Sequence, residues 1–414
     1  MSQSSFPRLR KSPVQRTRLP TLPPTSRSRA MLRLTAAACE GRFELQKCRA
    51  CGRFQYPPRE ACAHCISTYL EWTECDGSGE LISDTVLHHS NELYFRERMP
   101  LRIGLVRLDI GVDIVSYVHP GCAKAPTQVR LRVHLDKAGQ AAMVAHPPGD
   151  RFDMSQSEVL SDMTSDPRGR NVLVTDGKTA IGQAMVRSLI EAGANLVWVG
   201  AAEPWKKVEG LDAVAALPNV TIVPLDLTDT RSVEELGRLI GANVDILINT
   251  AELHRTKRIG MRGIETARAE MDVNYLGLLR LIDAFSSALK ARAADGGLHA
   301  TAWVNILSIY ALSALPSQAT FTASKAAAFA LSQSLRADMR QAGVRVVNVF
   351  PGPVDDEWNQ LVPPPKLAPS VLAAAIVDGL KLGIEDIYPG DVAQDLRARW
   401  RDSAKVLERE LTDQ

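Results

Sequence analysis

The stretch Asn171-Val172-Leu173-Val174-Thr175-Asp176-Gly177-Lys178-Thr179-Ala180-Ile181-Gly182 reads as a buried strand, a turn and the start of a helix. Its first part is apolar without alternation, the pattern of a strand covered on both faces. Ala180–Ala192 then repeats apolar residues at helical spacing, and Leu196–Gly200 is strand-like again. The rhythm continues through Val220–Leu225, Val244–Asn249, Trp303–Leu307 and Val344–Phe350, separated by helical patterns such as Ile264–Leu289 and Ala326–Ala342. Apolar strands alternating with helices predict an α/β fold with a doubly wound parallel sheet. In such a sheet the first strand–helix turn points backbone N–H groups at an anionic ligand. The residues of that turn therefore bear on function as well as fold.

Upstream the rhythm is different. Val129-Arg130-Leu131-Arg132-Val133-His134-Leu135 alternates strictly, as a half-buried antiparallel strand requires. Similar runs at Glu80–His88, Leu101–Ile110 and Val112–Val118 predict about five short strands, enough for a small closed antiparallel barrel. Between the two halves, Pro147-Pro148-Gly149-Asp150 and the polar run from Met154 to Arg170 have the composition of a linker. Residues 1–33 carry eight arginines and lysines, many Ser and Pro, and no acid, and are expected to be disordered. An Arg-rich, acid-poor start suits a transit peptide, but its prolines break any amphipathic helix, so a flexible extension is the preferred reading. The resulting division is a basic tail (1–33), a helix and Cys-bearing segment (34–70), a barrel (71–147), a linker (148–169), an α/β domain (170–390) and a C-terminal helix or tail (391–414).

The chain has 414 residues, 45% hydrophobic and 23% charged, with a net charge of +2. No global field favours nucleic acid or membrane, and no apolar run approaches the roughly 20 residues of a membrane helix. A cytoplasmic protein with reduced thiols is expected.

Cys48-x-x-Cys51 and Cys62-x-x-Cys65 are separated by ten residues. Two such hooks can set four thiolates at the corners of a tetrahedron, which predicts one structural zinc per chain with no open coordination position. Gly52 supplies the backbone freedom of the first knuckle, and Pro57-Pro58 stiffens the hairpin between the hooks. Cys39, Cys75 and Cys122 lack paired spacing and are read as packing residues. With Tyr56-Pro57-Pro58-Arg59, Leu70-Glu71-Trp72 and Gly77-Ser78-Gly79-Glu80-Leu81, the segment over about 35–147 resembles the acyl-CoA-associated rubredoxin-like zinc ribbon plus OB-fold family. That resemblance implies an accessory subunit that binds a thiolase-type enzyme and helps to hold CoA esters. For the stripe Arg130, Arg132 and His134, a solvated strand face is the first reading, contact with CoA phosphates the second and nucleic acid the last, because no aromatic platform stands beside it.

Asn305-Ile306-Leu307-Ser308 followed by Phe321-Thr322-Ala323-Ser324-Lys325 resembles the active-site strand and helix of short-chain dehydrogenases/reductases. The resemblance assigns Ser308 to the substrate carbonyl, Lys325 to ribose binding and the acidity of a tyrosine, and Asn274 to a proton relay. The tyrosine itself is replaced by Phe321. Gly182, Asp226, Asn249 and Lys325 are the cofactor-binding positions retained for NAD(P). Asp176 and Ala180 stand where the family has the first two glycines of its turn, Glu252 replaces a further glycine, and Asp355 replaces a Thr. Glu203 lies late for a ribose acid. Tyr275 and Tyr310 are candidate substitutes for the missing hydroxyl.

Loss of a general acid costs typically 10²–10⁴-fold in rate, and Asp176 and Glu252 both aim negative charge at an anionic cofactor. The combination predicts a dehydrogenase-like scaffold that has lost NAD(P) binding. It would be a non-catalytic, hetero-oligomeric bridge between a thiolase and an active dehydrogenase paralogue in CoA-thioester degradation. The alternatives are an active NAD(P)-dependent 3-hydroxyacyl-CoA dehydrogenase with another proton donor, and an OB-fold nucleic-acid-binding module.

Overall fold

A computed structural model describes residues 20–149, 153–255, 263–295, 300–360 and 362–412. Three strands come first: β1 (Glu44–Cys48), β2 (Phe54–Gln55) and β3 (Leu70–Glu74), antiparallel in the order β2-β1-β3. The barrel follows from β4 (Ser78–Leu87), β5 (Leu101–Leu108), β6 (Asp113–Val118), β7 (Thr127–Leu135) and β8 (Ala141–His146). It closes in the order β4-β5-β6-β8-β7, antiparallel throughout except for β6 against β8. The inward residues of the alternating strands, among them Leu81, Val106, Ile114, Leu131 and Leu135, form its core.

The C-terminal half is a seven-stranded parallel sheet of β9 (Asn171–Val174), β10 (Leu196–Ala201), β11 (Val220–Pro224), β12 (Ile246–Asn249), β13 (Ala302–Ile306), β14 (Arg345–Val349) and β15 (Asp386–Ile387). Their order, β11-β10-β9-β12-β13-β14-β15, reverses direction between β9 and β12. At that switch point the C-terminal loops splay apart and create a crevice. Apolar clusters cover both faces of the sheet, one around Trp303 and Phe285, the other around Val172 and Ile248.

Four features differ from the sequence-based expectation. Of the tail expected to be disordered, residues 1–19 lie outside the described residues, but residues 20–33 are partly docked, with Pro23 buried, and helix Arg29–Cys39 already begins inside it. Its basic residues have distant partners: Arg27 faces Asp136 (3.8 Å) and Arg33 faces Glu44 (3.5 Å). The polar run after Met154 is also no free linker. It bears helical turns at Met154–Gln156 and Glu158–Ser161, and Met154, Val159, Leu160 and Met163 bury against Leu101 and Val144 of the barrel. Asp162 is buried with Arg98 (2.9 Å) and Lys137 (3.5 Å), and the Tyr94 hydroxyl donates to it (3.1 Å). Partners so remote in sequence leave no local trace.

His134, read as part of a solvated stripe, is buried, with its Nε2 3.0 Å from His146 Nε2. Burial lowers both imidazoles, His134 to about 4 and His146 to about 2. Finally, the helical pattern expected over Ile264–Leu289 is broken. Helices Ile264–Met271 and Gly277–Ala294 flank a π-helical turn at Asp272–Leu276, which buries Asn274. Helix Ala319–Arg340 carries Phe321 and Lys325. Among the described residues no helix is long and apolar enough to cross a membrane.

Candidate functional site

The four cysteines converge. The sulfurs of Cys48, Cys51, Cys62 and Cys65 all lie within 4.8 Å of one another, with Cys48–Cys65 at 3.6 Å and Cys51–Cys62 at 3.7 Å. A tetrahedral zinc with bonds of about 2.3 Å requires sulfurs about 3.8 Å apart, so the set fits zinc. Each hook closes a matching turn, Gly52 N donating to Cys48 O (2.8 Å) and Ile66 N to Cys62 O (3.0 Å). The backbone N–H groups of Cys65 and His64 lower the Cys62 thiol to about 6. Two buried glutamines hold the hooks together, a role with no motif to announce it. Gln46 Oε1 accepts from Gln55 Nε2 and Arg59 N, and Gln55 Oε1 accepts from Ala63 N, each at 2.8 Å. A zinc here would be structural, with all four positions filled by protein.

The turn after β9 is closed by its own side chains. Asp176 Oδ1 accepts from Lys178 N (2.9 Å), and Thr179 Oγ1 accepts from Gly182 N (3.1 Å). The Gly182 donor belongs to the N–H set that a helix start offers to a diphosphate, and the Lys178 donor lies in the turn just before it. Burial raises the Asp176 carboxyl, against the Lys178 N–H that lowers it. Thr250 Oγ1 accepts from Asp176 N (3.0 Å) and donates to Asp176 O (2.9 Å), stitching this turn to the end of β12. Thr175 Oγ1 donates to Asn249 Oδ1 (3.0 Å), so Asn249 is committed to the same seam. Gly182 persists for packing, since a Cβ there would lie 1.9 Å from Asp176 O. Asp226 turns inward on its own loop, its Oδ1 accepting from Thr228 N (2.9 Å) and Oγ1 (2.7 Å). Asp355 faces Lys366 at 3.1 Å.

The catalytic positions are brought together but rewired. Lys325, 2% exposed, places Nζ 2.7 Å from Glu252 Oε2 and donates to Ile306 O (3.0 Å). Its ammonium lies 5.5 Å from the centre of the Phe321 ring. A buried charge needs a partner, and with no phenol beside it Lys325 finds one in Glu252. Asn274 aims that partner: its Oδ1 accepts from Leu253 N (2.9 Å) and its Nδ2 donates to Leu253 O (2.8 Å) and Ser324 Oγ (2.9 Å). Clamped at Leu253, the chain turns Glu252 and His254 into the crevice. Ser308 Oγ accepts from Tyr310 N (3.2 Å). Ser308, Tyr310, Phe321, Glu252, His254 and Asp356 line one narrow, open crevice whose enclosed volume is about 20 Å³, room for little more than water.

The sequence reading missed His254 and Asp356. The His254 ring stacks on Phe321 at 3.8 Å and 15°. A lone histidine in a loop gives no periodic or motif signal, and Asp356 lies one residue beyond the Asp355 that the family pattern singled out.

Fold and site define a two-part protein, a zinc-ribbon and OB-fold module joined to a dinucleotide-fold domain. The chain belongs to the short-chain dehydrogenase family through its C-terminal domain, fused to a ChsH2-type zinc ribbon and OB-fold. The short chain dehydrogenase family matches residues 170–365. The ChsH2 rubredoxin-like zinc ribbon domain matches 35–71 and the ChsH2 C-terminal OB-fold domain 72–136. A short-chain dehydrogenase from Burkholderia cenocepacia J2315, solved in complex with NADP, is 34% identical, with a TM-score of 0.53 over 59% of this chain and 98% of that one. A short-chain dehydrogenase from Streptomyces avermitilis shares the fold at 23% identity, with a TM-score of 0.51 over 59% of this chain and 96% of its own. An uncharacterized oxidoreductase of Staphylococcus aureus (strain MW2) is 28% identical over 214 residues, 50% of this chain and 89% of its own.

Proposed function

We propose that this chain is a non-catalytic accessory subunit of a thiolase-type acyl-CoA system. Its zinc-ribbon and OB-fold half holds a thiolase and the CoA ester, and its dehydrogenase-like half scaffolds an active dehydrogenase. The observation that carries the reading is the buried Lys325–Glu252 pair beside Phe321. The lysine that would serve a tyrosine and a ribose is neutralised internally, and the pairing carboxylate occupies a glycine's place. The Asp176 turn supports the same reading, because its carboxylate and the Thr179 hydroxyl occupy the N–H groups of Lys178, in the turn, and Gly182, at the helix start.

The NADP complex of the Burkholderia relative favours a second reading, an NAD(P)-dependent 3-hydroxyacyl-CoA dehydrogenase with another proton donor. Fluorescence titration of the zinc-loaded full chain with NADPH and NADH separates the two. The accessory reading expects no saturation up to millimolar cofactor, and micromolar binding of either would overturn it. Bridging further predicts co-purification with a thiolase and an intact dehydrogenase encoded beside it.

A further inference from the structure

The second zinc knuckle bears a side chain where its backbone favours none. Among the described residues only two that are not glycine have a positive φ, Asn219 and Ile66. Asparagine tolerates that region, whereas a β-branched residue is a true outlier there. The first knuckle makes the same turn with Gly52, and both residues donate their N–H to the carbonyl of the cysteine that opens their hook. The turn therefore has no need of isoleucine. Nor has the core, because Ile66 is 80% exposed. A strained position that yields no internal contact points to a role outside the chain.

Ile66 is not alone. Tyr69 is 74% exposed, and its carbonyl accepts from Arg49 N (2.9 Å), which ties it to the first hook. An aliphatic and an aromatic side chain thus stand out from one metal-braced pair of loops. Their positions are fixed before any partner arrives, so docking costs little conformational entropy. The border is basic. Arg53 Nη1 lies 3.2 Å from His64 Nδ1, two residues before Ile66, and no carboxylate pairs with it among the described residues. Arg49, beside Glu71 at 2.6 Å, keeps its side chain 69% exposed. From Arg49 to Tyr69 three arginines stand against one acid, Glu60. The thiolates' own charge is met from within, as where His64 N donates to Cys62 Sγ (3.4 Å). An apolar centre with an arginine border is the anatomy of a protein-binding hot spot. We propose that Ile66 and Tyr69 anchor this chain to its thiolase-type partner, entering an apolar recess whose rim carries carboxylates. The surface rests on the accessory reading and specifies where that partner sits.

The test titrates the zinc-loaded full chain with the thiolase-type enzyme encoded beside it, followed by calorimetry. Ile66→Gly should weaken binding at least tenfold while zinc leaves more slowly to a chelator, a pair of effects that damage to the ribbon could not produce. Tyr69→Ala should give a similar loss with zinc content unchanged. Arg53→Glu should weaken binding more at low salt than at high salt. Leu239→Ser, on helix Thr230–Ile240 and 75% exposed, should leave affinity as it is. Full-strength binding by either Ile66→Gly or Tyr69→Ala would overturn this surface and leave the accessory reading standing. No binding by the parent chain would overturn both. If instead the free chain self-associates and Ile66→Gly abolishes that, the patch joins two copies of this chain and the proposal fails.

Discussion

The cysteine quartet and the turn after β9 are both short loops built to hold a ligand, and their fates differ. In the first, every position the ligand needs is filled, and buried Gln46 and Gln55 brace it. In the second, Asp176 and Glu252 depart from the family pattern, and Asp176, Thr179, Glu252 and Thr250 bond within the protein. A structural metal is part of the fold and cannot be given up without the fold. A dinucleotide is bound after folding, so its site can be rewired while the sheet stands.

Removing a zinc ligand should break the comparison most severely. Structural zinc contributes about 10–16 kcal/mol in isolated finger peptides. Cys62→Ser should therefore lose the metal and unfold the ribbon, read as zinc per chain falling toward zero and new protease cuts between residues 40 and 75, with the parallel sheet intact. Glu252→Gln comes next, because it leaves buried Lys325 without its partner. Breaking such a pair costs about 3–5 kcal/mol, visible as a lower denaturation midpoint of the C-terminal domain.

Asp356 supplies a pH-dependent test. Burial first, then nearby Glu252, raises its carboxyl from 3.8 to about 6. The folded chain then keeps a proton that the unfolded chain releases, so this group's contribution declines as pH rises through about 4 to 6 and is level above. A shift of about two units corresponds to at most about 3 kcal/mol. Asp356→Asn should raise the melting temperature at pH 8 and give no gain near pH 4; a pH-independent difference would refute the assignment.

The two zinc knuckles offer a finer comparison. Gly52 follows the first hook at φ +71°, and Ile66 follows the second at φ +62° while 80% exposed. The left-handed region costs a side-chain-bearing residue about 1–2 kcal/mol, and a β-branched one is a true outlier there. Ile66→Gly should make the ribbon more stable by about 1 kcal/mol, measured as slower zinc loss to a chelator. The smallest effect is expected from Phe321→Tyr alone. With Lys325 held by Glu252 and the turn self-capped, oxidoreductase activity should stay at background in an NADPH-coupled assay.

Where a ligand or a layer dictates spacing, the sequence was legible. The Cys-x-x-Cys pair, the alternating barrel strands and the strand–helix rhythm from Asn171 each follow from local geometry, whereas the departures at Asp176, Glu252 and Phe321 are legible only against the short-chain dehydrogenase pattern the chain resembles. What the sequence hid depends on contacts between distant positions. Asp162 looks like a linker residue until Arg98 and Lys137 close on it. Arg27 and Arg33 look like a disordered tail until Asp136 and Glu44 face them. His254 acquires meaning only from the ring beneath it, 67 positions further along the chain.

The Glu252–Lys325 pair also constrains the protein's history. A mutation that returned glycine at 252 would strand a buried ammonium, and one that returned tyrosine at 321 would find its lysine already engaged. Neither step is advantageous alone, and the first is harmful. Descent from an ancestral dehydrogenase could proceed by small changes, but the route back requires several at once. On the accessory reading proposed above, selection acts on what this domain holds together rather than on chemistry at Lys325.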